Sequence, residues 1–335
     1  MKVTLLTQDE VRLELACEPA QTVLDAAEAA GIYPLAMCRD GQCGQCGAHA
    51  VAGTYSMRPH NLAALPPGIE SILLCSCLPQ SDLTISLPYD DAQLPRHSVP
   101  SRRAVIEALH PAGTSAVSLI LRLQADTTLG QAADFLPGQY MEISLPGTSI
   151  RRAYSLANLP NWDGTLEFLI RLVPGGAFSG WLAQVAKRGD ILSVRGPLGQ
   201  FTVDETSPRA RCLVGGGCGF APLLSMLRQM AAFQDTTPVH LIYGVNRSED
   251  ALPEELFTEL REALPQLQTA LAVWHGTPGV NAVHGTAAEV LAAHLALAGE
   301  LPDIYVCGPP KMVEAVLAVA HRAGVPDAQI FFERL

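Results

Sequence analysis

Residues 37–48 read "MCRDGQCGQCGA" and place three cysteines and three glycines in twelve positions. Three chemistries use such a stretch: a disulfide knot, a zinc site, or a ligand loop for a redox-active centre. The chain has nine cysteines in 335 residues, and five of them fall between Cys38 and Cys77. The N-terminal run "MKVTLLTQDEVRLELACEPA" lacks a basic segment followed by an apolar one, so no secretion signal is expected. Without secretion a disulfide framework loses its setting, and clustered cysteines point to a metal.

Around this stretch, residues 1–91 read as a small α+β unit. Strands "KVTLLT" and "VRLELA" flank the turn "QDE". In "TVLDAAEAAG", Thr22 caps a helix with Asp25 three residues on, and Gly31 stops it. Short strands "AHAVAG" and "DLTISLP" follow the cysteines. The proline- and charge-rich run "PYDDAQLPRHSVPSRR" reads as a linker, with residues 92–101 at its heart.

Residues 102–206 hold repeated strand patterns separated by turn signals, with "SGWLAQVAKRG" the one helical run. That pattern predicts an antiparallel β-barrel. Residues 207–335 alternate strands such as "RCLVGG" and "DIYVCG" with helical runs such as "APLLSMLRQMAAF". This predicts an α/β domain with a parallel sheet covered on both faces.

The formal net charge is −11, which argues against nucleic acid or an anionic membrane as partner. No apolar run reaches the length of a membrane span, so a cytoplasmic protein is expected. Residues 1–90 hold four Lys/Arg against ten Asp/Glu, whereas residues 96–205 hold ten against nine. An acidic first module suits docking on a basic protein surface, although acidity also serves solubility alone.

Cys38, Cys43 and Cys46 follow C-x4-C-x2-C, the spacing of plant-type [2Fe–2S] ferredoxins. A loop around a flat cluster must point its sulfurs inward and aim N–H groups at the sulfides. Gly41, Gly44 and Gly47 would allow the positive φ and close approach this needs. The competing reading is a zinc ribbon from Cys43, Cys46, Cys75 and Cys77, which leaves Cys38 idle. The segment resembles the ferredoxin domain of that family, a β-grasp unit. There the fourth ligand lies in L-x-C-x-x-x-P, and "LLCSCLP" matches with Cys75 as ligand and Cys77 as neighbour. The family often has a small hydroxylated residue before its first cysteine; here Met37 stands there.

In the middle segment "RAYSLAN" lies between "PGQYMEI" and "IRLVPGGAFSGWL". This order resembles the flavin domain of the ferredoxin–NADP reductase superfamily. The resemblance implies that Arg152 meets a flavin phosphate, Tyr154 packs on the isoalloxazine, and Ser155 bonds near N5. A guanidinium suits a phosphate, and a phenol ring suits a flat heterocycle. Gly175, Gly176 and Ser179 open a helix whose N-terminus suits a pyrophosphate, implying FAD. Arg171 and Val173 line the ribityl and phosphate region.

"CLVGGGCGFAPLLSML" resembles the nucleotide turn of the same superfamily through Gly215, Gly216, Gly217, Cys218, Gly219 and Pro222, where the helix is expected to start. Cys218 replaces the usual threonine. "YVCGPPKMVEAV" resembles the second nucleotide motif, with Cys307 near the nicotinamide and Gly308 and Pro309 leading into a helix. In "YGVNRSEDAL", Arg247 and Ser248 suit a 2′-phosphate, while Glu249 and Asp250 would repel one. NADH is the expected donor, with NADPH the alternative. The end "FFERL" places Glu333 at the family's C-terminal acid. The aromatic that usually follows falls on Leu335, unless Phe332 substitutes.

Together the three modules resemble reductase components of ring-hydroxylating dioxygenases, particularly the benzoate dioxygenase reductase group. The resemblance implies NADH, FAD and a [2Fe–2S] cluster in series, delivering electrons to a terminal oxygenase. Ser155, Cys307 and Glu333 are then the residues at the reacting atoms. Reductases of diiron monooxygenases and sugar-deoxygenation enzymes share the domain order. A metal-binding redox sensor is the alternative from another class.

Overall fold

The computed structural model describes residues 1–94, 99–148, 150–279 and 282–335. Of the stretch read as linker, residues 95–98 lie outside the described residues. By its contacts the chain divides into two units, Met1–Val99 and Pro100–Leu335.

The first unit contains β1 (Lys2–Leu6), β2 (Arg12–Ala16), α1 (Val23–Ala29), β3 (Gly47–Ala52), β4 (Tyr55–Met57), β5 (Ser71–Leu73), β6 (Cys77–Pro79) and β7 (Leu83–Ser86). Five strands form one sheet in the order β2-β1-β7-β3-β5, with β1 and β7 parallel and the hairpin β1–β2 antiparallel. β4 and β6 pair separately. Thr22 caps α1 as expected, accepting from the Asp25 N–H at 3.1 Å. The helix buries Val23, Leu24, Ala26 and Ala27 against Val3, Leu5, Leu73 and Ile85. Covering one face of a mixed sheet with one helix leaves the loop 30–46 to run over the end of the core.

The second unit begins with β8 (Ser101–Pro111), β9 (Ala116–Leu123), β10 (Tyr140–Ser144), β11 (Arg151–Ser155), β12 (Thr165–Arg171), α2 (Ala177–Gln184) and β13 (Ile191–Leu198). The antiparallel order is β11-β10-β13-β8-β9-β12. A bridge between Leu156 and Phe168 brings the β11 end against β12, so the two edges meet and the sheet closes. β8 starts at Ser101, inside the stretch read as linker. Its charged start is compatible with a strand because the Arg102 guanidinium donates to the carbonyls of Gly130 and Ala132, both at 2.8 Å. α2 begins at Ala177, ahead of the expected helical run, and ends before Val185, whose φ of −123° is not helical.

The unit continues with β14 (Arg211–Gly216), α3 (Phe220–Ala232), β15 (Val239–Val245), α4 (Glu254–Ala263), β16 (Leu267–Val273), β17 (Ala282–His284), α5 (Ala287–Leu297), β18 (Asp303–Gly308), α6 (Pro310–Arg322) and β19 (Ile330–Arg334). All neighbours in the order β17-β16-β15-β14-β18-β19 are parallel. Alternate residues of β14 feed opposite faces: Leu213 joins Leu223, Tyr243 and Phe257, while Cys212 and Val214 join Leu291 and Val316. α3 starts two residues before Pro222. A proline at the third helical position costs no hydrogen bond, because that N–H has no acceptor within the helix. Ala112, Ala157, Leu169 and Phe201 of the barrel share the core of the parallel-sheet domain, which makes the pair one unit. Among the described residues no helix is long and apolar enough to cross a membrane.

Candidate functional site

In the first unit Cys38, Cys43, Cys46 and Cys75 meet at the cysteine loop. The Cys38 sulfur contacts those of Cys43 and Cys75, and the Cys46 sulfur contacts that of Cys75. Backbone N–H groups of Gln42 and Cys43 donate to Cys38 Sγ, each at 3.3 Å. Gly41 and Gly44 have φ near +80°, at +77° and +81°. A Cβ on Gly41 would stand 2.7 Å from the His60 Cβ, and one on Gly44 would stand 2.6 Å from the Ala64 carbonyl oxygen. Gly47 differs from the expectation: its φ is not positive, and what it provides is room, with Pro66 Cδ 3.1 Å from a would-be Cβ. Cys77 stands apart. It is fully buried in the core, and burial, with Cys17 nearby, pushes its thiol up to about 12.

The sulfurs of Cys43, Cys38, Cys75 and Cys46 form a contacting set of four thiols, the donor set a [2Fe–2S] cluster takes. The zinc reading takes in Cys77, which stands apart, and leaves out Cys38, whose sulfur contacts those of Cys43 and Cys75. Met37 is buried beside the first cysteine and brings no hydrogen-bond donor.

The second unit assembles its site from distant segments. Pairing of β11 with β10 sets the alternation that turns Arg152 and Tyr154 to one face and Ser155 to the other. The Tyr154 ring lies 5.4 Å from that of Phe178 on α2, and burial raises its phenol. Arg152 and Arg171 are exposed, and Val173 is half-exposed. Gly175 turns with φ +73°, Gly176 caps α2, and Ser179 is buried. The Ser179 hydroxyl accepts from the Val173 N–H at 3.1 Å and donates to the Val173 carbonyl, so it fixes the turn that presents the glycines.

β14 lies at the middle of its sheet, with β15 on one side and β18 on the other. The crevice beyond the strand ends at such a reversal receives a dinucleotide. Gly215 pairs with Cys307 across it. A Cβ on Gly219 would fall 2.3 Å from the Cys307 carbonyl oxygen, whereas one on Gly217 meets open space. The Cys218 thiol is pushed up to about 12 by burial, with Arg171 close enough to pull the other way.

At the same strand ends Ser155 Oγ donates to Glu333 Oε2 at 3.2 Å, and Glu333 pairs in register with Cys307. Glu333 is 1% exposed, and burial pushes its carboxyl up to about 8 against the pull of the Ser155 hydroxyl. Burial, with Glu333 beside it, also raises the Cys307 thiol. Residues separated by 178 positions thus form one buried polar group.

Comparison with known proteins finds family matches over all three parts of the chain. A family described as a 2Fe-2S iron-sulfur cluster binding domain matches residues 6–80. An oxidoreductase FAD-binding domain matches 114–203, and an oxidoreductase NAD-binding domain matches 213–318. The chain is 32% identical to the toluate 1,2-dioxygenase electron transfer component of Pseudomonas putida, over 99% of this chain and 98% of that one. The chain belongs to the oxygenase reductase components. It is also 35% identical to methane monooxygenase component C of Methylosinus trichosporium, over 78% of this chain and 77% of that one. A cytochrome P450 reductase of Amycolatopsis superposes with a TM-score of 0.76 at 27% identity, over 99% and 98% of the two chains.

The reductase is thus an FAD-, NAD- and [2Fe–2S]-binding electron-transfer oxidoreductase, and the sites above fit those groups. Its structure also answers the question of the C-terminal aromatic. On β19 Phe332 points to the face opposite Glu333, where the Arg334 guanidinium lies 4.8 Å above its ring. Leu335 is the residue in phase with Glu333. The Asp250 carboxylate, expected to repel a 2′-phosphate, accepts from the hydroxyls of Thr114 and Ser115, which tie it to the β8–β9 turn.

Sequence reasoning missed Arg39. Its guanidinium lies against both oxygens of Glu28, at 2.6 and 2.9 Å, and Asp25 at 3.1 Å, tying the cysteine loop to α1. The available signal was the spacing of Asp25 and Glu28, which puts both acids on one helix face.

Proposed function

We propose that this reductase is a cytoplasmic protein that takes electrons from NADH and delivers them, through FAD and the [2Fe–2S] cluster, to the terminal oxygenase of an aromatic ring-hydroxylating system. The buried Ser155–Glu333 hydrogen bond beside Cys307 carries this reading. A buried carboxyl with a raised affinity for its proton, at the ends of β18 and β19, supports a role beside the flavin and nicotinamide. When bound, the flavin accepts a pair of electrons from the nicotinamide and releases them singly, and the cluster passes them on.

The protein's own residues hold and screen these groups. Arg152 and the Gly175–Gly176 turn at the α2 N-terminus bind the flavin phosphates. Tyr154 packs on the ring system, while Arg171 and Val173 line the chain that joins ring and phosphates. Gly215, Gly216, Gly217, Cys218 and Gly219, with Pro222 behind them, cradle the nucleotide, and Gly308 and Pro309 face them across the crevice. Cys307 excludes water from the nicotinamide. Glu333 holds a proton at its carboxyl, and Ser155 Oγ presents a hydroxyl to the flavin edge. Cys38, Cys43, Cys46 and Cys75 bind the irons, and N–H groups donating to the sulfurs favour the reduced, more negative centre.

The relative from the toluate system, matched over 99% of this chain and 98% of its own, supports the oxygenase of an aromatic substrate as partner. A monooxygenase is the second reading, favoured by the 35% identity to the methane monooxygenase component. The purified protein should show a yellow flavin band and a red-brown iron–sulfur absorption, both bleached by NADH. A colourless, zinc-containing protein overturns the whole reading. Coupled turnover with an aromatic dioxygenase oxygenase against a monooxygenase hydroxylase separates the two partners.

A further inference from the structure

The turn between β8 and β9, residues 112–115, makes contacts that neither flavin nor nucleotide motif explains. Ser115 works in two directions. Its carbonyl accepts from the Leu172 N–H at 2.8 Å, between Arg171 and Val173 of the flavin side. Its hydroxyl donates to Asp250 Oδ1 at 3.0 Å. Thr114 adds a second hydroxyl to the same oxygen at 2.9 Å, and its N–H donates to the Glu249 carbonyl at 3.2 Å. Gly113 has φ +69°, and a Cβ there would lie 2.9 Å from the Asp250 carbonyl oxygen, so the backbones approach as only glycine allows. Ala112 is buried in the core of the parallel-sheet domain, with Ala251 packed against it.

We infer that residues 112–115 are a strut fixing the loop after β15 to the flavin side of the molecule, with Asp250 its positioning residue for the nucleotide. The inference rests on the reading above that this loop meets the adenosine ribose. Ser248–Asp250 is a single tight turn. Drawing Asp250 onto the barrel leaves Arg247 and Glu249 on the open side, their side chains 68% and 57% exposed. The strut therefore sets where these two side chains stand relative to Arg171 and Val173. A nucleotide spanning loop and flavin binds less tightly once that spacing is released, because ordering the loop then falls to the ligand.

The test uses the FAD-loaded full chain. Thr114→Val/Ser115→Ala and, separately, Asp250→Ala, which removes the accepting oxygen, are assayed with NADH and ferricyanide, and NAD+ binding is measured by calorimetry. The expected result is a KM for NADH and a Kd for NAD+ raised about tenfold, with kcat within about twofold, as the loss of two hydrogen bonds implies. Thr114→Ser/Ser115→Thr, which keeps both hydroxyls, should restore wild-type values. A lowered Tm or FAD content with unchanged KM and Kd overturns the strut, leaving the contacts as ordinary packing. If Asp250→Ala does not fold, the double variant decides alone. Arg247→Ala and Glu249→Ala separate the two layers. If they move the KM while the strut variants do not, only the strut falls. If none of the variants moves it, the reading of this loop as a nucleotide site falls as well.

Discussion

The two units build their sites in opposite ways. The first draws three of its four sulfurs from nine consecutive residues, Cys38 to Cys46, and adds one from Cys75. The second brings Ser155, Cys307 and Glu333 to one place from across the whole unit. The first kind of site depends on backbone conformation, which Gly41 and Gly44 supply locally. The second depends on strand order, since Cys307 meets Glu333 because β18 and β19 are parallel neighbours in register. Damage to a ligand should therefore be all-or-none in the first unit and graded in the second.

The largest expected effect lies in the first unit. Cys75→Ser should abolish the iron–sulfur absorption and the bound iron, whereas Cys77→Ser should keep both. The reverse outcome moves the fourth ligand to Cys77. Without the cluster, reduction of cytochrome c by NADH should stop while reduction of ferricyanide, a direct flavin acceptor, continues. Next comes Glu333→Gln, expected to slow NADH-driven flavin reduction about 10²-fold, the low end for a positioned acid. The pH dependence has a definite sign. A carboxyl raised from 4.5 to about 8 binds more protons folded than unfolded between those values. Its contribution to stability is full below pH 4.5 and lost as pH rises through 8. Wild-type Tm should fall between pH 6 and pH 9 more than that of the Gln variant, and the activity limb near pH 8 should vanish in the variant. Identical profiles for both proteins would remove the proton-holding role.

The same contrast decides what could be read from the sequence. C-x4-C-x2-C and its glycines are legible because the residues that cooperate are neighbours. The resemblance to a reductase superfamily supplied Ser155, Cys307 and Glu333 as separate points, but nothing local says that Ser155 Oγ donates to Glu333. Phe332 shows the limit most plainly. Its identity suggests a ring cover, while the two-residue period of β19 turns it away from Glu333. The ties of Asp250 to Thr114 and Ser115 are not legible locally, because these partners lie 136 and 135 residues away. The start of α3 at Phe220 rather than Pro222 has a smaller reason, since the first turn of a helix carries no compulsory sequence signal.

Arg39 sharpens the comparison from the local side. It stands inside the cysteine loop with φ +61°, and its partners Glu28 and Asp25 hold it to α1. The Arg39 and Glu28 side chains are only 13% and 18% exposed, so the pair is screened less than a surface ion pair. Arg39→Ala should destabilise the first unit by about 2 kcal/mol, the scale of a hydrogen bond to a charged group. Chelator-driven loss of iron should become faster, while NADH–ferricyanide turnover stays at the wild-type rate. Unchanged iron release would mean that the loop keeps its shape through the Gly41 and Gly44 contacts alone.

The smallest effect concerns the choice between NADH and NADPH, and it tests whether the second unit discriminates through one charge. With Asp250 occupied by Thr114 and Ser115, Glu249 is the acid left on the open side of the loop, 3.9 Å from the Arg247 guanidinium. Arg247 and Ser248 favour a 2′-phosphate and Glu249 opposes it, so the preference for NADH should be modest. Glu249→Gln should raise kcat/KM for NADPH about threefold and leave that for NADH nearly unchanged, as expected for removing one exposed like charge worth well under 1 kcal/mol. Because both side chains are exposed, the gain should shrink further at high salt. A wild-type protein that clearly prefers NADPH refutes the role of Glu249. A gain that is independent of salt would mean that the side chain acts by shape rather than by charge.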